Sequence, residues 1–242
     1  MIQSYVIRGI GVRGPSALRT VCGLAGVFAV GLSSSLALAG GDVWLYEENG
    51  ALKTGIIEEF PALDRTAGVR VFHADLGVDV DNAIDEPGLR ILADIPGVSN
   101  LNPNGLLGFT MNRALRLWDG SDFDTISLNR MNIGFEALTA TTPLSDVATN
   151  GFDVTLDPDG DLHDHYDFAV DASTRVAGIW LLDLTFHFTG LTSSEPVWIL
   201  FSQDASDTDV EAAEAWAGAN IPTPGSLALL GLGGLVATRR RR

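Results

Sequence analysis

Residues 157–167 read Asp-Pro-Asp-Gly-Asp-Leu-His-Asp-His-Tyr-Asp and hold the densest run of potential metal ligands in the chain. Two histidines one residue apart on a strand point to the same side, with Cβ atoms about 7 Å apart, close enough to share one ion. If residues 171–175 form a hairpin turn, Val170 pairs with Val176, Tyr166 with Trp180, and His163 faces Asp183. In that register His163, His165 and Asp183 share the outer face as a metal-ligand set. His187 falls several residues beyond the pair in this register, and His73 has no assigned position relative to it. The alternative for the same residues is a solvated strand face with a His–Asp cross-strand pair. Asp157, Asp159 and Asp161 alternate as a hard cation such as calcium prefers. An EF-hand loop starting at Asp157 needs Gly at its sixth position and Glu at its twelfth, and these hold Leu162 and Phe168. Pro-Asp-Gly is also ordinary turn chemistry.

Other chemistry is sparse. There is no Gly-x-Ser-x-Gly elbow, no phosphate-binding loop and no dinucleotide glycine motif. The chain has 31 acids, too many for a pair of glycosidase carboxylates to be singled out. Trp180 and Trp198 lie in strongly apolar runs and read as core. Trp118, just before Asp119-Gly120, is the best candidate for an exposed sugar-stacking ring. His-x-His on a strand resembles the opening of a cupin metal site, which implies a jelly roll. The glutamate that follows closely in cupins has no counterpart here.

The elements that must position these residues are mostly strands. Between Arg175 and Thr189, Trp180, Leu182, Leu184, Phe186 and Phe188 alternate with Leu181, Asp183, Thr185 and His187, which predicts a strand with one buried face. Tyr166, Phe168 and Val170 alternate likewise. Trp44 and Tyr46, then Asn49-Gly50, then Lys53 to Ile57 predict a hairpin with a type I′ turn. Further short strands are expected at 69–72, 115–118, 126–128, 131–135 and 196–201. Dense turn signals, such as Glu86-Pro87-Gly88 and Asn102-Pro103-Asn104-Gly105, separate them. The expectation is an all-β, mainly antiparallel sandwich or jelly roll. One helix is predicted from Asp207, as N-cap, to about Ala217.

Both ends read as addresses. Residues 1–39 have three spaced arginines, an apolar stretch from Val21, and Ala37-Leu38-Ala39 before Gly40, the small-residue pattern of a secretory signal cleaved after Ala39. Cleavage removes Cys22, the single cysteine, so the mature chain would have no thiol chemistry. Residues 221–242 hold Pro222-Thr223-Pro224-Gly225, a Leu/Gly-rich stretch of 13 residues from Ser226, and Arg239, Arg240, Arg241 and Arg242. The arginines predict a cytoplasmic stop. A helix of that length reaches only about 20 Å, too short for a durable anchor. This tail resembles the sorting signal of PEP-CTERM proteins, with Thr223 in place of the glutamate. The resemblance implies processing by an exosortase-like membrane protease after signal peptidase has acted, and an exopolysaccharide or biofilm setting.

Between the addresses, residues 40–220 form one domain-sized unit. All 31 acids lie there with only eight basic residues, a net charge of −23, whereas the whole chain carries −16 at a mean hydropathy of +0.20. That balance excludes a nucleic-acid partner and disfavours anionic polymers unless cations bridge them. The expected function is that of an exported, noncatalytic protein of the cell surface or extracellular matrix, associated with polysaccharide. It needs no cofactor beyond a divalent cation such as calcium. The alternative is a metal-dependent, cupin-like surface enzyme using His163 and His165.

Overall fold

The computed structural model describes residues 38–39, 41–58, 63–93, 95 and 100–222; the predicted signal segment up to Ala37 and the tail from Thr223 lie outside the described residues. The first part of the chain gives β1 (Leu38–Ala39), β2 (Asp42–Glu48), β3 (Ala51–Glu58), β4 (Asp64–Ala67), β5 (Val71–Asp75), β6 (Ala83–Ile84) and β7 (Leu89–Ile91). Then come β8 (Leu106–Met111), β9 (Arg116–Leu117), β10 (Thr125–Ile126), β11 (Met131–Phe135), β12 (Leu138–Thr141) and β13 (Thr149–Thr155). The last are β14 (Leu162–Asp164), β15 (Asp167–Val170), the long β16 (Gly178–Phe188), β17 (Val197–Gln203) and α1 (Asp207–Asn220).

The expected all-β class with one C-terminal helix holds. The strands form three sheets, ordered β1-β5-β17-β16-β8-β13 with β9 and β10 attached, β12-β11-β15-β6, and β14-β7-β2-β3-β4. Most neighbours are antiparallel, but β5 runs parallel to β17 and to β1, and β7 parallel to β2. One apolar core joins all three sheets, drawing Val43 and Leu45 from the third, Ile133 and Phe168 from the second, and Trp180, Leu182 and Phe186 from the first.

The local predictions hold where the determinants are local. Asn49 and Gly50 take φ of 54° and 77°, both positive as a type I′ turn requires, and the Gly50 N–H donates to Glu47 Oε1 at 2.7 Å. Trp180 and Trp198 are buried, as expected. β16, however, is covered on both faces. Its even-numbered residues enter the main core, while Ile179 and Leu181 pack with Trp198, Leu200, Ala213 and Ala217 under α1. The small alanines let the helix lie close to the sheet. Its N-cap is Ser206 rather than Asp207, with Ser206 Oγ accepting from Asp209 N–H at 3.2 Å, and the helix runs on to Asn220.

The predicted hairpin at 171–175 does not form between β15 and β16. β15 pairs instead with β11 and β6, and β16 with β17, β8 and β9. The intervening residues cross between sheets, held by long-range bonds that the local pattern does not show. Asn82 donates to Thr174 O and accepts from Val176 N–H, while Arg175 binds Asp81, Asp204 and the Gly77 carbonyl. Beyond α1, Ile221 is buried and Arg70 donates to the Pro222 carbonyl at 2.6 Å while pairing with Glu195 at 3.4 Å. Burial pushes the Arg70 guanidinium below its usual range, with Glu195 opposing.

Candidate metal centre

His163 and His165 do come together, but with a different carboxylate. β14 pairs with β7, placing His163 opposite Arg90, and β7 runs parallel to β2, with Val43 opposite Leu89. This stacking sets Asp42, at the start of β2, across β7 from the two histidines. His163 Nε2 lies 3.2 Å from His165 Nε2 and 3.1 Å from Asp42 Oδ2, and one donor atom from each of the three residues lies within 4.8 Å of the others.

Those spacings are chemically informative. Zinc bonds of about 2.0–2.1 Å in a tetrahedron set neighbouring donor atoms about 3.3 Å apart. Asp42 is buried and the two imidazoles are about one-third exposed, so an ion would be held at the floor of an open site. The orientation of the ligands is also secured. Asp42 Oδ1 accepts from Gly88 N–H at 3.1 Å, which leaves Oδ2 toward the histidines. His165 Nδ1 lies 3.1 Å from the Asp85 carbonyl and 3.6 Å from Glu86 Oε1. Two acceptors there favour a proton on Nδ1, which leaves the Nε2 lone pair for a metal. Burial pushes the Glu86 carboxyl above its usual range, against the opposing pull of His165 and of the Gly88 N–H.

Gly88 is where close approach requires glycine. A Cβ there would stand 2.7 Å from Asp42 Oδ1 and 3.0 Å from His165 Cε1. The Gly88 carbonyl meanwhile accepts from Val43 N–H at 2.9 Å, fastening β2 to the same turn.

Asp183, the carboxylate expected to join the histidines, lies in another sheet. It is buried, accepts from Asn112 Nδ2 at 2.7 Å and pairs with Arg113 Nε at 2.9 Å. Burial raises its pKa, with Asn112 and Arg113 working the other way. The displacement follows from the missing 171–175 hairpin. Asp42 went unrecognised because it precedes His163 by a long stretch of chain and reaches it only through a parallel strand pairing.

Of the alternating aspartates, Asp161 Oδ1 accepts from Ala93 N–H at 2.5 Å, tying the loop to the segment after β7, and Asp159 Oδ1 accepts from Asp161 N–H at 3.3 Å, bracing the loop itself. Trp118 is half-buried with its ring 5.1 Å from Phe123, a packing contact rather than a free platform. His187 pairs with Asp153 at the surface at 3.0 Å. Pro222 is the single member of the sorting motif within the described residues. Thr223, Pro224, Gly225 and the four arginines lie outside them, as does Ala37. Leu38 and Ala39 form β1 against β5.

No protein-family model matches the chain, and no curated protein matches it.

Proposed function

We propose that the protein is exported, kept at the cell surface or in the extracellular matrix, and holds one borderline divalent metal, zinc-like in its preferences, between Asp42, His163 and His165. The observation that carries the metal is the convergence of two Nε2 atoms and one carboxylate oxygen at 3.1 and 3.2 Å. Two imidazoles and one carboxylate suit zinc, nickel or copper, whereas calcium prefers an all-oxygen shell. The ion would tie the start of β2 to β14, an edge strand of three residues. Export rests on the signal-like residues before Gly40, and surface retention on the tail that follows Ile221. On a body this acidic, bound cations also supply the bridge through which an anionic polysaccharide could associate.

Elemental analysis of the purified full chain tests the metal. One equivalent of transition metal is expected after loading and dialysis, and none in the His163→Ala, His165→Ala double variant. A wild-type chain that retains no metal would overturn the reading.

A second reading, a metal-dependent surface enzyme, is favoured by one feature. Three protein ligands leave a coordination position open, as in catalytic zinc sites. A cavity of about 310 Å³ is lined by Gly41, which precedes Asp42 in the chain, and by Glu86, whose Oε1 lies 3.6 Å from His165 Nδ1. Titration with a small anionic metal ligand such as azide, read by the spectrum of the cobalt-loaded chain, separates the two. A spectral shift supports an open position, and an unchanged spectrum leaves the ion with a purely structural role.

A further inference from the structure

A second cluster, distant in sequence from the metal ligands, lies under α1. β5 and β17 run parallel in a register that sets His73 opposite Leu200 and Asp75 opposite Ser202. Alternation along these strands puts His73, Asp75 and Ser202 on the face that carries Val71 and Leu200, the face covered by the helix. Glu214 comes down from α1. His73 Nδ1 lies 3.0 Å from Glu214 Oε1, and His73 Nε2 lies 3.0 Å from Ser202 Oγ. All three side chains line a cavity of about 410 Å³ at the junction of helix and sheet.

We propose that Ser202, His73 and Glu214 form a nucleophilic triad that hydrolyses esters in this cavity. The order of contacts is the one acyl transfer requires. The hydroxyl meets one ring nitrogen and the carboxylate meets the other, so that Glu214 holds Nδ1–H and leaves Nε2 to accept the serine proton. Ser202 Oγ bonds to the ester carbonyl carbon as its proton passes to His73 Nε2. The tetrahedral adduct then collapses with cleavage of the bond to the alkoxide, which leaves with that proton. Water repeats the sequence on the acyl-serine and releases the acid, so the net reaction consumes one ester and one water and yields one acid and one alcohol.

Asp75 tunes this arrangement. Its Oδ1 lies 2.5 Å from Ser202 Oγ and 3.4 Å from His73 Nε2, so in the resting protein it accepts the hydrogen bond of the Ser202 hydroxyl. Turning the hydroxyl proton toward Nε2 needs only rotation about the Cβ–Oγ bond. The negative charge of Asp75 works against an oxyanion, which makes it a brake on the reaction. The rest of the lining defines the substrate. Asp75, Asp204, Asp207, Glu211 and Glu214 face the cavity, and Arg175 is the one Lys or Arg in its lining. Five carboxylates disfavour anionic substrates and admit neutral esters and esters of cationic alcohols, because the Arg175 guanidinium is already paired with Asp81 and Asp204.

Fluorophosphonate labelling of the full chain, with peptide mapping by mass spectrometry, tests the assignment together with p-nitrophenyl acetate hydrolysis. One adduct per chain is expected, on Ser202, with labelling and hydrolysis lowered about 10³-fold or more by Ser202→Ala and by His73→Ala. Asp75→Asn is expected to raise both rates. An acetyl ester of choline should be turned over with a higher kcat/KM than an acetyl ester carrying a carboxylate. Absence of an adduct on the wild-type chain overturns the proposal whatever the variants do. So do an adduct that survives His73→Ala and a rate that falls in Asp75→Asn. Hydrolysis abolished by EDTA would assign it to the metal and overturn the triad, whereas equal rates with and without EDTA support it.

Discussion

Between Asp42 and His165 the backbone at Gly88 leaves room for a hydrogen atom and no more, and the metal cluster depends on that. Gly88→Ala must push one of the two ligands aside, because the added methyl would sit 2.7 Å from Asp42 Oδ1. Metal affinity is expected to fall at least about 10-fold, the scale seen when groups supporting a metal ligand are disturbed. Competition with a chromophoric chelator measures it, and an affinity equal to wild type would show that the carboxylate is not a ligand. At this scale the sequence was half readable. The His-x-His spacing exposed His163 and His165 because strand geometry is local. Their carboxylate partner was not legible, because Asp42 arrives through the β2–β7 pairing, a contact that alternation of residue types cannot encode.

Elements differ in how far local rules govern them. The β2–β3 hairpin could be read because Asn49-Gly50 carries its own turn geometry. β16 was read as a strand but with one covered face, since nothing in its alternation announces a helix arriving from residues 207–220 to cover the other. Two substitutions separate these contributions. Leu182→Ala removes a side chain with no exposed surface from the main core and is expected to cost about 2–5 kcal/mol. Ser206→Ala removes the α1 N-cap and is expected to cost about 1 kcal/mol. Chemical denaturation of both variants checks the order, and a cap variant that costs as much as the core variant would mean that α1 carries the fold rather than covering it.

For the whole molecule, charge sets the pH response. The carboxyls of Asp183 and Glu214 are raised in the folded chain, chiefly by burial, so the folded state binds more protons than the unfolded one just above the ordinary carboxylate range. Their contribution to stability is therefore greatest at low pH and declines as pH rises from about 4 through their folded pKa values. Mutual repulsion among the many carboxylates acts in the same direction and is screened by salt. Melting temperature at low ionic strength is expected to fall between pH 4.5 and pH 8, and by less in 0.5 M salt; a rising curve would contradict this assignment. The two proposed addresses also belong to this scale. Intact-mass analysis of the cell-associated protein is expected to give a chain starting at Gly40 and lacking Arg239 to Arg242. A mass that includes the four arginines would rule out sortase processing. The reading of both ends rests on small residues, apolar runs and clustered arginines, which act as composition and need no tertiary contact.

The Arg70 clasp on Pro222 also decides how the body bears a load. Tension applied to the chain at residue 223 arrives first at the Pro222 carbonyl, held by Arg70, and at the buried Ile221. From Arg70 it passes to Glu195 through the ion pair and to Trp198, whose N–H donates to the Arg70 carbonyl at 2.8 Å. A pull on the chain beyond Pro222 would therefore be shared between the central sheet, reached through Arg70, and the last turn of α1, where the Ala217 carbonyl accepts from Ile221 N–H at 2.9 Å.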